Sequence, residues 1–444
     1  MNKKIQGGIY VFEQIHKRLT FVFGGVSLVS LTLALIGGAK AADPVSITLL
    51  AGGSDPTAIK FSKDLTDKFM EANPGIKVQF ETRPGGTDGD NLVKTRLATG
   101  SMNDVFFYNS GSLLQALNPD SQLVDLSDQA WAKKVTTDFK QSVSTPNGLY
   151  GAPTSTTFFG GMMYNKKVYA KLGLSVPKTW AAFIKNSEKI KAAGIIPVLV
   201  SYGDTWTSQL FVLADFANVS AQVPNWSTLY TANKAKYVNA PALAGFTHTA
   251  EIYTKKLMNK DFASLTFGNA LKLLATGEAA QYPMITVVIG NVAQSNPSQV
   301  NDVGYFAIPS DSGTPRATVW GAGGAYIPKS TTGDKLAAAK KFVAFINSPA
   351  GCEVQVSSGI VAGPFAISSC KLPKTVLPIV TDQQKYVTRK QTGLALEFLS
   401  PIKGPNLEKI LVQVGSGITS AQAGAELYDQ DVKQQAQQLG IPGW

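Results

Sequence analysis

The chain has 444 residues, of which 44% are hydrophobic and 16% are charged, a balance typical of soluble globular proteins. This length is sufficient for two or three units that each bury a core. The net charge of +11 comes from scattered Lys and Arg residues. Because they form no block of five basic residues, a tract that binds nucleic acid is not indicated.

The first 41 residues have the pattern of a secretory signal segment. Four basic residues precede a mostly apolar run, Leu19 to Gly38, and Ala39-Lys40-Ala41 is a small-x-small cleavage motif. We expect cleavage before Ala42, although an apolar run of this length could also remain as a membrane anchor. No Cys follows the run, so a lipid anchor is not expected. The mature chain is predicted to be exported to the periplasm.

The two cysteines, Cys352 and Cys370, both lie in the exported part. Export predicts an oxidising compartment, and two cysteines allow one intramolecular pairing. A disulfide is therefore expected, with two free buried thiols as the alternative.

The first part of the mature chain has the pattern of a βαβ unit. Val45 to Leu50 predicts a strand, residues 58–73 an amphipathic helix, and Ile76 to Thr82 a second strand after the break at Asn73-Pro74-Gly75. A long loop is predicted for 83–90, a helix for 91–99 and a third strand for 104–108. This order is typical of a mixed α/β domain.

The middle and last parts continue the alternation of strands and helices. A Gly- and Pro-bounded turn precedes the small polar run Thr154–Thr157, and Phe158 to Tyr164 predicts an apolar strand. Further elements are predicted in chain order: helices at 166–172 and 181–193, a strand at 195–201, a helix at 209–218, helical patterns within 230–257, a strand at 303–309, a Gly-rich strand pair at 317–328 and a helix at 335–347. The tail is predicted to be helical.

Several segments resemble extracellular solute-binding proteins of family 1, the sugar-binding receptors of ABC importers. They are FMEANPGIKV, LATGSMNDVFFYNSGSLLQAL, YGAP followed by YNKKVYAKLGLSVPKTW, KIKAAGIIPVLVSYGDTW and the C-terminal SGITSAQAGAELYDQDVKQQAQQLGIPGW. The resemblance covers nearly all of the mature chain. Two departures are visible: Asn103 stands where the family usually has Pro, and Ile285-Thr286-Val287 replaces a common Gly-Trp, which removes one aromatic platform.

The resemblance implies the type II periplasmic-binding-protein fold, with two α/β lobes of mixed sheets flanked by helices and a ligand cleft between them. The implied division is a signal peptide at 1–41, a first lobe from 42–153 and 320–363, and a second lobe from 154–319 and 364–444. The three implied crossings between the lobes are Thr154–Thr157, Trp320–Gly324 and Gly359–Phe365.

Candidate ligand-binding residues are aromatic and small polar residues on loops after strands, where open α/β sheets bind ligands. Sugar hydroxyls need polar partners, and the apolar face of a pyranose suits an aromatic plane. Trp206 is placed where the family has a stacking aromatic, whereas Trp320 could equally belong to the core. The set is Ser54, Asp55, Asp88, Tyr108, Asn109, Thr156, Thr157, Asp204, Trp206, Thr286, Trp320, Gly321 and Gly323.

The resemblance thus predicts a receptor that captures a carbohydrate and delivers it to the membrane permease of an ABC importer by hinge closure. No enzymatic activity, metal or cofactor is expected, since the mature chain has a single histidine, His248, in a helical pattern that suggests a surface or partly packed residue. A monomer that binds no nucleic acid is expected. The alternatives are a secreted glycan-cleaving enzyme, which needs two carboxylates across the cleft, or a receptor for an acidic solute.

Overall fold

The computed structural model describes residues 43–53, 56–311, 313–358 and 361–444. The predicted signal segment and the candidate residues Ser54 and Asp55 lie outside the described residues. The strands are β1 Val45–Gly52, β2 Ile76–Arg83, β3 Val105–Tyr108, β4 Ser144–Thr145, β5 Gly148–Leu149, β6 Ala152–Pro153, β7 Phe158–Asn165, β8 Ile196–Val198, β9 Ala279–Ile285, β10 Val303–Phe306, β11 Ala317–Trp320, β12 Gly324–Tyr326 and β13 Thr392–Leu394.

Helices cover both sheets and form most of the C-terminal part. They are α1 Pro56–Ala72, α2 Gly86–Ala98, α3 Ser112–Gln115, α4 Pro119–Gln122, α5 Thr137–Ser142, α6 Lys166–Lys171, α7 Trp180–Ala192, α8 Leu210–Leu213, α9 Phe216–Gln222, α10 Trp226–Thr231, α11 Ala244–Thr254, α12 Phe267–Thr276, α13 Ile289–Ser295, α14 Gly333–Ile346, α15 Pro349–Ser357, α16 Pro378–Thr388, α17 Leu407–Gly415 and α18 Ala421–Gln438. Within the described part of the chain, none of them is long and apolar enough to cross a membrane.

The first lobe is built on a five-stranded sheet in the order β2-β1-β3-β12-β6. β1 pairs in parallel with β2 and β3, as the predicted βαβ unit requires, while β12 returns from the C-terminal half and pairs antiparallel with β3 and β6. α1 buries Leu65 and Phe69, and Phe69 meets Phe342 of α14 edge to face with ring centroids 5.0 Å apart. Helices from two distant parts of the chain therefore close this core.

The second lobe is built on a six-stranded sheet in the order β13-β11-β7-β9-β8, with β10 also paired to β7. β7 is the strand predicted from the apolar run after Thr157, and all of its residues except the half-buried Phe158 are buried. It pairs antiparallel with β9, β10 and β11. A buried central strand explains why Phe158–Tyr164 is a continuous apolar run rather than an alternating one.

The two Gly-rich strands predicted within 317–328 both form and belong to different sheets, since β11 joins the second sheet and β12 the first. One predicted element bound was wrong. The loop predicted for 83–90 ends early, because α2 begins at Gly86. Asp88 consequently lies in the first turn of a helix, not in a loop.

Three chain segments run side by side between the lobes. The Thr154 N–H donates to the carbonyl of Gly323 at 3.0 Å, and the Thr157 N–H donates to the carbonyl of Pro364 at 2.9 Å. The Thr156 hydroxyl accepts from the Ala362 N–H at 3.1 Å. Backbone bonds thus tie together the three segments that the sequence predicts as crossings, although residues 359 and 360 of the third lie outside the described part.

Cys352 of α15 and Cys370 form a disulfide. Both are buried, and Ala366, Ile367 and Cys370 pack with the hydrophobic core of the first lobe. The sequence interpretation placed 364–444 in the second lobe, so the first core extends somewhat beyond that boundary. The bridge fastens the segment after the third crossing to α15.

Asp215 is a carboxylate buried behind the second sheet, only 4% exposed. The amide of Asn218 donates to it at 2.8 Å, and His248 acts on it electrostatically. His248 is buried rather than at the surface, because its ring stacks on Trp180 with centroids 3.7 Å apart. Burial raises the pKa of Asp215 to about 6, although His248 and Asn218 act to lower it.

Replacing Asp215 by Asn should stabilise the fold at neutral pH. Because the folded-state pKa of Asp215 is raised from 3.8 to about 6, the native state binds this proton more tightly than the unfolded chain does. The resulting destabilisation is absent below about pH 4 and complete above about pH 6. The variant should therefore gain about 3 kcal/mol in free energy of unfolding at neutral pH and almost nothing at acid pH. Denaturant melts across this range measure the difference, and a gain independent of pH contradicts the assignment.

Candidate functional site

A cleft of about 290 Å³ lies between the two lobes. The first lobe supplies the end of β2, the start of α2 and the loop after β3. The second lobe supplies the starts of β7 and α8, the end of β11, a 3-10 helix at Thr205–Gln209 and the segment 397–408. These are mostly element ends, where backbone direction changes and side chains of several elements converge.

The floor of the cleft is aromatic. Phe158 of β7 and Trp320 of β11 are directly paired across the sheet, and their rings are 6.3 Å apart and parallel within 5°. The indole covers Gly160, where a Cβ would lie 2.2 Å from its Cζ3 atom, so the residue at this position must be Gly. Trp320 is only 6% exposed but borders the cleft, and it therefore belongs both to the core and to the cleft floor.

Trp206 forms an aromatic wall of the cleft, in addition to the aromatic floor. It lies on the 3-10 helix at Thr205–Gln209 and packs against Phe267 with ring centroids 5.3 Å apart. Its half-buried side chain borders both the cleft and a more open outer chamber of about 630 Å³. Trp206 therefore stands where the inner and outer spaces join.

Polar groups of the second lobe lie beside the aromatic floor. The ammonium of Lys403 is 3.8 Å from the carboxylate of Glu397, and both side chains are less than one fifth exposed. Burial raises the pKa of Glu397, while Lys403 and a hydrogen bond with the Trp320 indole oppose the rise. This pair can accept from and donate to the hydroxyl groups of a ligand on the floor.

Arg83 provides a cation on the first lobe. Its guanidinium carbon is 5.2 Å from the ring centroid of Tyr108, a cation–π arrangement. The negative charge of Asp90 interacts electrostatically with both Arg83 and Tyr108. Burial lowers the pKa of Arg83, and it raises that of Tyr108 well above the usual range. Tyr108 is 3% exposed, so it supports Arg83 from below rather than bordering the cleft.

The described members of the predicted site fall into four places. Asn109, Trp206 and Trp320 border the cleft, while Asp88 and Asp204 border the outer chamber. Thr156, Thr157 and Gly323 lie at the crossings. The remaining described members are packed in the protein: Tyr108 under Arg83, Thr286 under β7 and Gly321 against the ring of Phe398.

Besides Thr156 and Thr157 at the crossings, two further predicted polar residues have structural hydrogen bonds. The fully buried hydroxyl of Thr286 accepts from the Phe159 N–H at 2.9 Å. The carboxylate of Asp204 accepts from the Phe267 N–H at 2.7 Å, at the start of α12. The Asp204 carboxylate therefore caps the start of α12. The Asp204 side chain also borders the outer chamber.

Sequence reasoning missed much of the cleft lining. Arg83 follows a predicted strand, and Phe158 adjoins the polar run at the first crossing, so position could have indicated both. No local signal indicates Glu397, Lys403 or Glu408, since they come from the C-terminal segment. The missed residues that border the cleft include Arg83, Thr87, Asp90, Asn91, Lys94, Phe158, Gln209, Glu397, Lys403, Glu408 and Gln435. No cluster of three or more His, Cys, Asp or Glu suited to a metal occurs in the described ranges.

The chain is similar in sequence to several bacterial binding proteins. The profile described as "Bacterial extracellular solute-binding protein" matches residues 54–351, about two thirds of the chain. The Multiple sugar-binding protein of Streptococcus mutans is 25% identical over 343 residues, 74% of this chain and 78% of that protein. The Melibiose/raffinose/stachyose-binding protein MelE of Bacillus subtilis is 23% identical over 288 residues, 60% of this chain and 62% of that protein.

The fold also matches solved structures. A structure described as a chitin oligosaccharide binding protein superposes with a TM-score of 0.77 at 21% identity, covering 88% of this chain and 99% of that one. The raffinose complex of the binding protein RafE gives a TM-score of 0.70 at 22% identity, covering 89% and 99%. The predicted two-lobe type II fold is thereby confirmed.

Proposed function

Because this chain belongs to the family of bacterial extracellular solute-binding proteins, we propose that it captures a carbohydrate outside the cytoplasmic membrane and delivers it to an ABC importer. The observation that carries the proposal is the combination of aromatic planes and hydroxyl-binding groups in one interlobe cleft. Trp320 and Phe158 form the floor, Trp206 one wall, and Glu397 with Lys403 the polar side. Pyranose rings, with apolar faces and polar edges, need both.

The charges in the cleft favour a neutral ligand. Three cations border it, Arg83, Lys94 and Lys403, and three carboxylates, Asp90, Glu397 and Glu408. Because the two signs balance, the lining has no excess of positive charge to attract an acidic solute. An uncharged sugar is therefore the ligand class we propose, with acidic sugars as the contrasting case in the test.

The shape favours more than one sugar unit. The cleft and the outer chamber share the lining residues Arg83, Gly85, Gly86 and Trp206, so the two spaces are contiguous. A first unit on the aromatic floor leaves room for a second unit beside Trp206. We therefore propose a di- or oligosaccharide, in line with the names of the Multiple sugar-binding protein and the Melibiose/raffinose/stachyose-binding protein, to which this chain is similar.

Delivery follows from the two-lobe design. A ligand that contacts both lobes stabilises the closed form, since it has no equal set of contacts in an open one. We propose that the three adjacent crossings act as the hinge, that the mature chain is a periplasmic monomer released from its signal segment, and that a membrane permease recognises the closed form. We also propose that the ligand is released unchanged, without cleavage.

A carbohydrate panel tests the proposal. Thermal shift followed by calorimetric titration should detect binding of a neutral di- or oligosaccharide, because a ligand specific for the folded state raises the melting temperature. Uronic-acid oligosaccharides of similar length should bind more weakly. Chromatography of the recovered ligand should show no hydrolysis. Absence of any sugar binding, or cleavage of the bound sugar, would overturn the proposal.

Replacing Trp206 by Ala should weaken carbohydrate binding by about 1–3 kcal/mol, the scale of one aromatic stacking face. The free energy of unfolding should change less, because Trp206 is half-buried and keeps an open face toward the cleft. Calorimetric titration and denaturant melts on the same variant separate the two effects, and Trp206→Phe, which retains a ring, should lose less affinity. Unchanged affinity with a large loss of stability would show that Trp206 is only a core residue.

A further inference from the structure

Within the described part of the chain, a polar contact beside the cleft joins the two lobes directly. Glu408 belongs to α17 on the second lobe, and Thr87 belongs to the first turn of α2 on the first lobe. The Thr87 hydroxyl donates to the Glu408 carboxylate at 3.0 Å, and the Thr87 N–H donates to the same oxygen at 3.4 Å. The Thr87 hydroxyl is also 3.1 Å from the carbonyl of Pro405. This contact joins residues 321 positions apart.

The start of α2 is suited to receive a carboxylate. Its N-cap residue, Gly85, has no side chain that could cap the helix. The first N–H groups of α2 therefore have no acceptor within the helix and can bond an acceptor from outside it. The helix dipole favours a negative group at this end. Gly86 has φ of +61°, and a Cβ there would lie 3.0 Å from the Glu408 carboxylate. Glycine at this position therefore permits the close approach of the carboxylate.

The second lobe holds Glu408 in place from its own side. The Thr205 hydroxyl donates to the carboxylate at 3.3 Å, and the Ser208 hydroxyl donates to the Glu408 carbonyl at 2.8 Å. Glu408 is 5% exposed, and among the described residues no Lys or Arg nitrogen lies within 4.0 Å of its carboxylate. The bonds from Thr87 are thus cross-lobe bonds that exist only when the lobes are together.

We propose that Glu408 is a closure latch: it is carried by the second lobe and stabilises the closed receptor by capping α2 of the first lobe. The latch acts on the proposed carbohydrate site, and in that respect it rests on the proposed function. Its role is to hold the two lobes in the closed arrangement rather than to recognise the ligand. Because apparent affinity scales with the fraction of molecules able to adopt the closed form, loss of the latch lowers affinity without removing a stacking contact.

A double-mutant cycle tests the latch. The variants are Thr87→Val, Glu408→Gln and the pair together; all preserve side-chain volume closely. Glu426→Gln is the matched control, since Glu426 is an exposed carboxylate of the same lobe on α18. Each latch variant should raise the Kd for the best-binding sugar of the panel about tenfold, mainly through faster dissociation. The double variant should be no weaker than the weaker single variant, and the control should bind like the parent.

A ligand-free measurement separates this proposal from the proposed function. Spin labels at Thr95→Cys on α2 and Lys409→Cys on α17, both exposed positions, report the distance between the lobes. Without sugar, the latch variants should shift the distribution to longer distances than the parent. If no carbohydrate binds yet this shift occurs, the latch stands and the carbohydrate function fails. If sugar binds but Kd and distances are unchanged, or the two substitutions act additively, the latch is refuted.

Discussion

Replacing Trp320 by Ala should both destabilise the protein and remove carbohydrate binding. Trp320 is 6% exposed, stacks on Phe158 and covers Gly160, so truncation opens a cavity inside the second sheet. We expect a loss of about 3–5 kcal/mol in the free energy of unfolding. Affinity at a temperature where the variant is folded should fall at least about tenfold, because the aromatic floor is gone. Denaturant melts and calorimetric titration measure the two losses separately.

Trp226 offers the matched control for this experiment. It is 2% exposed on α10 and stacks on Tyr230 with ring centroids 5.0 Å apart, but it does not border the cleft. Trp226→Ala should therefore cost a similar free energy of unfolding while the folded protein keeps its affinity. If Trp320→Ala also keeps its affinity when folded, Trp320 supports the core alone and the cleft floor has been misassigned.

Removing the disulfide should cost about 3 kcal/mol in the free energy of unfolding. Cys352 and Cys370 are separated by 18 positions, and in the chain-entropy description a closed loop of this size restricts the unfolded chain by about that amount. The double variant Cys352→Ala and Cys370→Ala should show the loss in denaturant melts. Carbohydrate affinity should be retained, because neither cysteine borders the cleft.

Two measurements check the origin of that loss. Thiol labelling of the exported protein under denaturing, non-reducing conditions should find no free cysteine, and reductant should bring the parent to the stability of the double variant. Two labelled thiols in the parent, together with a melt that reductant does not change, would contradict the prediction. Removal of the disulfide lowers stability by freeing the unfolded chain, whereas Trp320→Ala lowers it by weakening packing in the native state.

Taken together, the proposals describe a receptor whose binding and closing elements are separate. Trp320 and Trp206 contact the ligand, whereas Glu408 contacts the opposite lobe. Closure around a ligand is established for periplasmic binding proteins, and it requires contacts that exist only in the closed form. In this chain the sugar and the latch would both supply such contacts. Variants of the two groups should accordingly differ in their effect on the ligand-free lobe distance.

The local pattern of the sequence was sufficient for the main elements of the fold. Periodicity and turn residues predicted β1, α1 and β2 as a βαβ unit, and the apolar run after Thr157 predicted β7. These features are encoded within short windows, because strand and helix preferences depend on neighbouring side chains. The resemblance to a known family added the two lobes and the kind of ligand, and the fold was then confirmed by structural similarity.

Only the tertiary structure decided the composition of the site. α2 begins at Gly86, earlier than its sequence predicts, and the carboxylate that caps its start comes from Glu408 on the other lobe. Trp320 could not be assigned to core or cleft from its sequence position, since it serves both once β11 pairs with β7. Glu397 and Lys403 reach the cleft from the C-terminal segment. Contacts of this kind depend on how elements that are distant in the sequence pack against each other. Short-range sequence patterns do not specify that packing.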